Sequence, residues 1–163
     1  MITNNFFINT NNNTKNNKIN FKSDKAVYVC SKLATGYTKT KKFPTIRSFI
    51  EYNMGRAITH AKQIAKKGDY PYWNHSTWPH FVDDTKPKER KLAIKGCLDL
   101  VSRCEALVYF DKPRGGMKQE ISKAKDLGMV VMSAKEYRTT KPKDFDKMVE
   151  ESPHYKKLHN IIA

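Results

Sequence analysis

Short, uninterrupted apolar runs separated by segments of helical periodicity restrict the fold of this chain more than any other feature. Ala26-Val27-Tyr28-Val29-Cys30, Ala106-Leu107-Val108-Tyr109-Phe110 and Met129-Val130-Val131-Met132 are apolar or aromatic throughout, as strands buried on both faces are. Tyr70-Pro71-Tyr72-Trp73 reads as a further strand, with its proline at the start, where a missing donor does least harm. Across residues 46–67, Ile46, Phe49, Ile50, Met54, Ala57, Ile58, Ala61, Ile64 and Ala65 recur at three- and four-residue steps until Gly68 closes the pattern. A second helix is predicted to enter near Thr85 and Pro87 and to run through Leu92, Ile94, Cys97, Leu98 and Val101 to Cys104. A third runs from Gly116 to Leu127 and stops at Gly128. The order βαβαβαβ predicts an α/β fold, a Rossmann-like or flavodoxin-like three-layer sandwich with a mainly parallel sheet of four to five strands. Ligands of such sheets sit beyond the carboxyl ends of the strands, where the strand order reverses. The loops after Cys30, Trp73 and Phe110 are therefore predicted to face one site.

At 163 residues the chain is predicted to form one domain. Residues 1–24 read as a flexible arm, because nine of the first twenty residues are asparagine and such polar low complexity cannot offset its ordering entropy. Residues 25–135 form the predicted α/β domain. Residues 136–163 form a helical extension, whose Phe145, Met148, Val149, Tyr155, Leu158, Ile161 and Ile162 suit docking on the sheet or on another subunit. No stretch approaches the roughly 18–20 apolar residues of a membrane span, and the N-terminal residues lack the order of a secretion signal. A cytoplasmic protein with no membrane partner is expected, in the host cytoplasm if phage-encoded. Cys30, Cys97 and Cys104 form no CxxC pair and read as reduced core residues rather than a disulfide framework or zinc site.

Lysine and arginine number 31 against 16 acids, a net charge of +15 that suits an anionic partner. The lysines are nevertheless scattered along almost every segment, as on a solvated surface. No basic run is interleaved with aromatics at a known module's spacing, so nucleic acid is left open as a partner but not favoured.

After the third strand comes Asp111-Lys112-Pro113-Arg114-Gly115-Gly116-Met117-Lys118-Gln119-Glu120. Two glycines at a helix entrance expose backbone N–H groups to a phosphate or carboxylate, and Arg114 and Lys118 strengthen that preference. The stretch has neither Walker nor GxGxxG spacing, and a plain strand-to-helix turn competes with the anion site. Glu120 lies one turn past Gly116, at the predicted rim of the crevice. A carboxylate there can displace a nucleobase at an anomeric carbon, assisted by a second carboxyl from among Asp83, Asp84, Asp99 and Asp111 or by a positioned water; taken alone, a surface role for Glu120 is the plainer reading. The segment from Pro71 to Asp84 brings together Trp73, Trp78, Phe81, His75, His80, Asp83 and Asp84. Its rings can sandwich a base and its carboxylates can hold ribose hydroxyls. His75 reads as an acid, a hydrogen-bond donor or, preferably, a buried structural residue. No metal set and no cofactor are indicated.

The order of these features resembles a family. Tyr28-Val29-Cys30-Ser31 is followed by Asn53, Ala57, Ala61 and Gly68, then by Pro71 and His75. Phe81-Val82-Asp83-Asp84 and Arg90 precede Cys104-Glu105-Ala106, and Gly116-Met117-Lys118-Gln119-Glu120-Ile121 with Ala124 and Gly128 completes the series. Over residues 25–132 the chain is similar to small proteins, many from phages and bacteria, related to nucleoside 2-deoxyribosyltransferases. The resemblance implies Glu120 as the nucleophile and Asp99 as a substrate-orienting carboxylate. It implies a phosphate held by Ser31 and the turn Arg114, Gly115, Gly116 and Met117, and a homo-oligomer whose neighbouring subunit closes the pocket. Trp73, His75, Asp83 and Asp84 complete the expected substrate contacts. The chain departs from the family's habits in having Arg114 ahead of the Gly-Met pair, Asn74 before His75, and neither proline nor glycine in Ser31-Lys32-Leu33-Ala34. The expected function is cleavage or transfer of the N-glycosidic bond of a nucleoside or nucleotide, without a cofactor. The alternative is a non-catalytic protein that binds or sequesters a nucleotide signal, as in phage counter-defence.

Overall fold

A computed structural model of the chain describes residues 24–75, 78–80, 82–83 and 86–161. The expected arm at residues 1–24 lies, but for Asp24, outside the described residues. Four strands, β1 (Ala26–Cys30), β2 (Tyr70–Tyr72), β3 (Ala106–Tyr109) and β4 (Val130–Ser133), form one sheet in the order β2-β1-β3-β4. Every pairing is parallel, with Tyr28 opposite Tyr72 on one side and Leu107 on the other. Parallel neighbours require crossover connections. They are supplied by α1 (Ile46–Ala65) between β1 and β2, α2 (Pro87–Arg103) between β2 and β3, and α3 (Gly116–Asp126) between β3 and β4. The α/β three-layer arrangement expected from the sequence is the one observed.

Alternation along the strands assigns each side chain to a layer. Val27, Val29, Ala106 and Val108 face a cluster with Ala61 and Ile64 of α1. Tyr28, Cys30 and Leu107 face the opposite cluster, with Val101 of α2 and Met117 and Ala124 of α3. The first helix begins at a capping box, in which the Thr45 hydroxyl accepts from the Ser48 amide at 3.1 Å and so satisfies an otherwise orphaned donor.

The C-terminal region forms three short helices, α4 (Ala134–Thr139), α5 (Pro142–Glu151) and α6 (Pro153–Leu158). The first is capped by Ser133 and Glu136, a signature directly after β4 that apolar periodicity cannot register, because α4 spans less than two turns. Tyr137, Phe145 and Val149 join the α1-side cluster, so the extension docks on the sheet. Polar links surround the opposite, amino-terminal ends of the strands. Lys25 Nζ donates to Glu150 at 2.7 Å, His154 pairs with the Cys104 carbonyl at 2.9 Å, and His159 lies 2.6 Å from Glu105.

Tyr137 is the pivot of this docking. Its hydroxyl donates to the buried Asp69 carboxylate at 2.6 Å, while the Lys25 amide reaches the other oxygen at 3.4 Å. Hydrogen bonds to buried charged groups stabilise by about 1.5–3 kcal/mol. Tyr137→Phe keeps the ring and removes the donor, and it is expected to lower unfolding free energy by about that amount in a urea titration.

Candidate active site

Strand order reverses between β1 and β3, and the loops leaving their carboxyl ends part there into a crevice, as the topology demands. Asp111, just beyond β3, ties the two sides. It accepts from the Lys32 amide at 3.1 Å and from the Arg56 guanidinium at 2.7 Å. Burial raises its pKa, but these two donors more than compensate and hold the carboxyl below its ordinary value. Asn53 of α1, almost fully buried, fixes the next stretch of the β1–α1 loop by donating to the Leu33 carbonyl at 2.6 Å.

Glu120 lies inside this crevice rather than on the surface, with 7% of its area exposed. Because Tyr28 and Cys30 point to the α3 face, their polar ends meet the carboxylate. Tyr28 donates its hydroxyl to Oε1 at 3.1 Å, and the Cys30 thiol lies 3.1 Å from Oε2. Burial pushes the Glu120 pKa up, and the contacts from Cys30, Tyr28 and Cys97 pull against it, leaving it raised. The same burial, reinforced by the negative charge of Glu120, drives the Tyr28 and Cys30 pKa values well above normal and that of Cys97 to about 11. All three therefore keep their protons at neutral pH, and Tyr28 and Cys30 are placed to donate to the Glu120 carboxyl group.

The carboxylate borders a cavity of about 80 Å³ whose walls include Ser31, Thr35, Asn74, His75, Trp78, Arg90 and Cys97. His75 is buried and its Nε2 lies 2.9 Å from the Ser31 carbonyl. Desolvation lowers its pKa to about 4, so the ring is neutral at pH 7 and Nε2 carries the proton toward the carbonyl. This bond fastens the β2–α2 connection to the end of β1. Two buried polar atoms of the wall residues, Ser31 Oγ and His75 Nδ1, have no hydrogen-bond partner among the described residues, while the Asn74 side chain bonds the Cys97 thiol. Such atoms are uncommon in folded proteins, and a hydroxyl-bearing ligand or water would pair them.

A second cavity, of about 500 Å³, adjoins the first through Leu33, Trp78 and Ala93 and extends between Ile46, Ile50, Val82 and Asp83. Trp78 divides the two, seated on Gly96 of α2. A Cβ at position 96 would lie 2.2 Å from its ring, which explains a glycine inside a helix despite its intrinsic cost. At the other wall, Gly115 has φ +48° and precedes α3, and a Cβ there would lie 2.7 Å from Thr35 Oγ1. The β3–α3 turn thus packs its bare backbone against the β1–α1 loop.

Of the residues singled out in the sequence, Ser31, His75, Gly116, Met117 and Glu120 come together at the small cavity, with Gly115 behind its Thr35 wall and Arg114 exposed beside Gly36 of the β1–α1 loop. Trp73 does not join them. It packs into the α1-side cluster, because alternation along β2 turns it to that face, and Trp78 takes the expected aromatic position. Asp83 lines the larger cavity and pairs with Lys86 at 3.6 Å, and Asp84 lies outside the described residues. Asp99 is exposed on α2 and paired with Arg103 at 3.0 Å, away from both cavities. Tyr28, Cys30 and Cys97 read as core from their apolar surroundings. A phenol within an aliphatic buried strand was their one signal, since a buried tyrosine hydroxyl needs a partner.

Fold and crevice together define a doubly wound α/β protein with a buried carboxylate at its switch point. Residues 25–134 match a family described as a domain of unknown function (DUF7768), and the chain belongs to that family. No curated protein and no solved structure matches the chain. Among the described residues, no group of three histidine, cysteine or acidic side chains is placed to hold a metal ion, and no helix is long and apolar enough to cross a membrane.

Gly96→Ala tests the seat of Trp78. The substitution favours the helix by about 1 kcal/mol intrinsically, but the methyl displaces the indole. A shifted tryptophan emission maximum in a folded protein is the expected result.

Proposed function

We propose that the protein cleaves or transfers the N-glycosidic bond of a nucleoside or nucleotide, with Glu120 as the nucleophile. The observation that supports this reading is the convergence of a buried, doubly hydrogen-bonded carboxylate with two unpaired buried polar atoms, Ser31 Oγ and His75 Nδ1, around one cavity. A sugar carries several hydroxyls and an electrophilic anomeric carbon, and matches both halves of that arrangement. Glu120 attacks C1′, the C1′–N bond breaks, and its electron pair leaves with the base, which takes up a proton. Water or a second base then attacks C1′, gives up a proton equivalent to the one taken by the departing base, and releases the carboxylate.

Each residue at the crevice has a role in this scheme. Tyr28 and Cys30 hold the carboxylate in place while each oxygen keeps a lone pair for attack. Ser31 and His75 meet sugar or phosphate oxygens. His75 acts as a fixed neutral group, because its pKa of about 4 leaves no imidazolium to donate at neutral pH. Trp78 offers a ring beside the sugar for the base. A 5′-phosphate fits the turn at Arg114, Gly115, Gly116 and Met117, where α3 begins without a side-chain cap and its dipole favours an anion. Asp99 takes no part, since its carboxylate serves Arg103 in solvent.

The test is incubation with deoxynucleosides, deoxynucleoside monophosphates, ribonucleotides and NAD, followed by separation of products. Free base is expected from at least one, with Glu120→Ala slower by at least about three decades, equivalent to about 4 kcal/mol in the barrier. No base from any substrate would overturn the reading. Recovery of an intact nucleotide from the purified protein would then identify it as a sequestering protein.

The pH dependence follows from the same contacts. The nucleophile is the ionised form, and Glu120 has a raised pKa, so activity falls on the acid side at a pH above the ordinary glutamate value. Tyr28→Phe removes a donor that stabilises the charge, and the acid limb of its kcat/KM profile is expected to move to still higher pH.

A further inference from the structure

We propose that the β1–α1 loop, with the start of α1 and Arg114, forms a binding surface for single-stranded polynucleotide at the mouth of the crevice. From Ser31 to Tyr52 the chain has five cations, Lys32, Lys39, Lys41, Lys42 and Arg47, and one acidic residue, Glu51, which pairs with Arg47 at 2.8 Å and leaves the four lysines uncompensated. In this stretch four aromatic rings cluster. Phe43 stands 5.2 Å from Phe49 and 5.1 Å from Tyr52, and Tyr37 is 5.7 Å from Phe49. Lysines lie on these rings, with Lys42 at 4.5 Å from Tyr52 and Lys32 at 5.0 Å from Phe49.

The surface is preformed. The Thr40 amide donates to the Phe43 carbonyl at 3.1 Å and the Phe43 amide to Thr40 Oγ1 at 3.0 Å, which closes a turn with Lys41 and Lys42 exposed at its tip. Tyr52 is 44% exposed. Exposed cations beside an accessible ring are what a single strand needs, because phosphates take the charges and bases stack on π-faces. An acidic peptide would use the cations and leave the ring unused; a duplex keeps its bases stacked on one another.

The loop also leads inward. Its first residues, Ser31 to Thr35, wall the Glu120 cavity, and the Arg114 guanidinium lies 3.9 Å from the position of a Gly36 Cβ. A strand lying on the loop therefore delivers a nucleotide to the crevice. That last step rests on the glycosidic reading of Glu120, whereas the binding does not.

Fluorescence anisotropy of a labelled oligothymidylate with the full chain, titrated with salt, tests the proposal. Each phosphate contact contributes about 0.7 to the slope of log affinity against log salt on a single strand. The triple variant Lys39→Ala/Lys41→Ala/Lys42→Ala is expected to reduce that slope by about 2. Tyr52→Leu, which keeps apolar bulk against Phe43, is expected to weaken binding about fivefold or more with the slope unchanged. The control Lys141→Ala/Lys143→Ala/Lys157→Ala, in the C-terminal helices, removes equal charge and is expected to bind as the parent. Equal losses in the two triple variants would overturn the proposal in favour of net charge alone. Absence of any Tyr52 effect, with polyaspartate competing as well as the oligonucleotide, would overturn it in favour of an acidic polypeptide. Loop-dependent binding that survives in Glu120→Gln, without base release from any substrate, would uphold the surface while removing the glycosidic reading.

Discussion

The crevice depends on a carboxylate held in low dielectric by the Tyr28 phenol and the Cys30 thiol. An ionised acid without partners at that depth would cost several kcal/mol or would protonate. Two donors on one strand prevent this only because β1 is central in the sheet and presents alternate residues to the α3 face. Strand order, side-chain alternation and the entry point of α3 therefore have to agree before Glu120 has a place to sit. Asp111 and Asn53 serve the same end from outside, fixing the β1–α1 loop at Lys32 and Leu33 so that the cavity keeps its walls.

Most of the architecture could be read from the residues alone, because buried parallel strands and amphipathic helices carry different periods. Gly68 and Gly128 marked ends that the structure places within a few residues. The C-terminal helices were less legible. They are too short for a period, and their docking is set by polar bonds from Tyr137, His154 and Lys25 to partners distant in sequence.

Site residues divide along a similar line. Topology assigns the loops after the strands to one side, whereas resemblance singles out Glu120 and Ser31, and its place in an unusual loop singles out His75. Both tryptophans of the loop are candidates for the cavity in the sequence, and only Trp78 lines it while Trp73 packs on the α1 side of the sheet, because position in a loop says nothing about which face a ring turns to. Asp99 was drawn in by family resemblance, yet helical phase points it to water, next to Arg103. Linear spacing also hides the folding of one loop back on itself. Once Thr40 and Phe43 close their turn, lysines and rings that are several residues apart become neighbours.

The two poles of the sheet are built differently. At the amino pole, Lys25, Glu105, His154 and His159 are interlocked with the final helices. The carboxyl pole is made of connecting segments anchored at a few points. A molecule latched at one end and open-jawed at the other can revise its grip without loosening its frame. In this chain, substitutions among the connecting segments of the carboxyl pole leave the polar interlock at the amino pole in place.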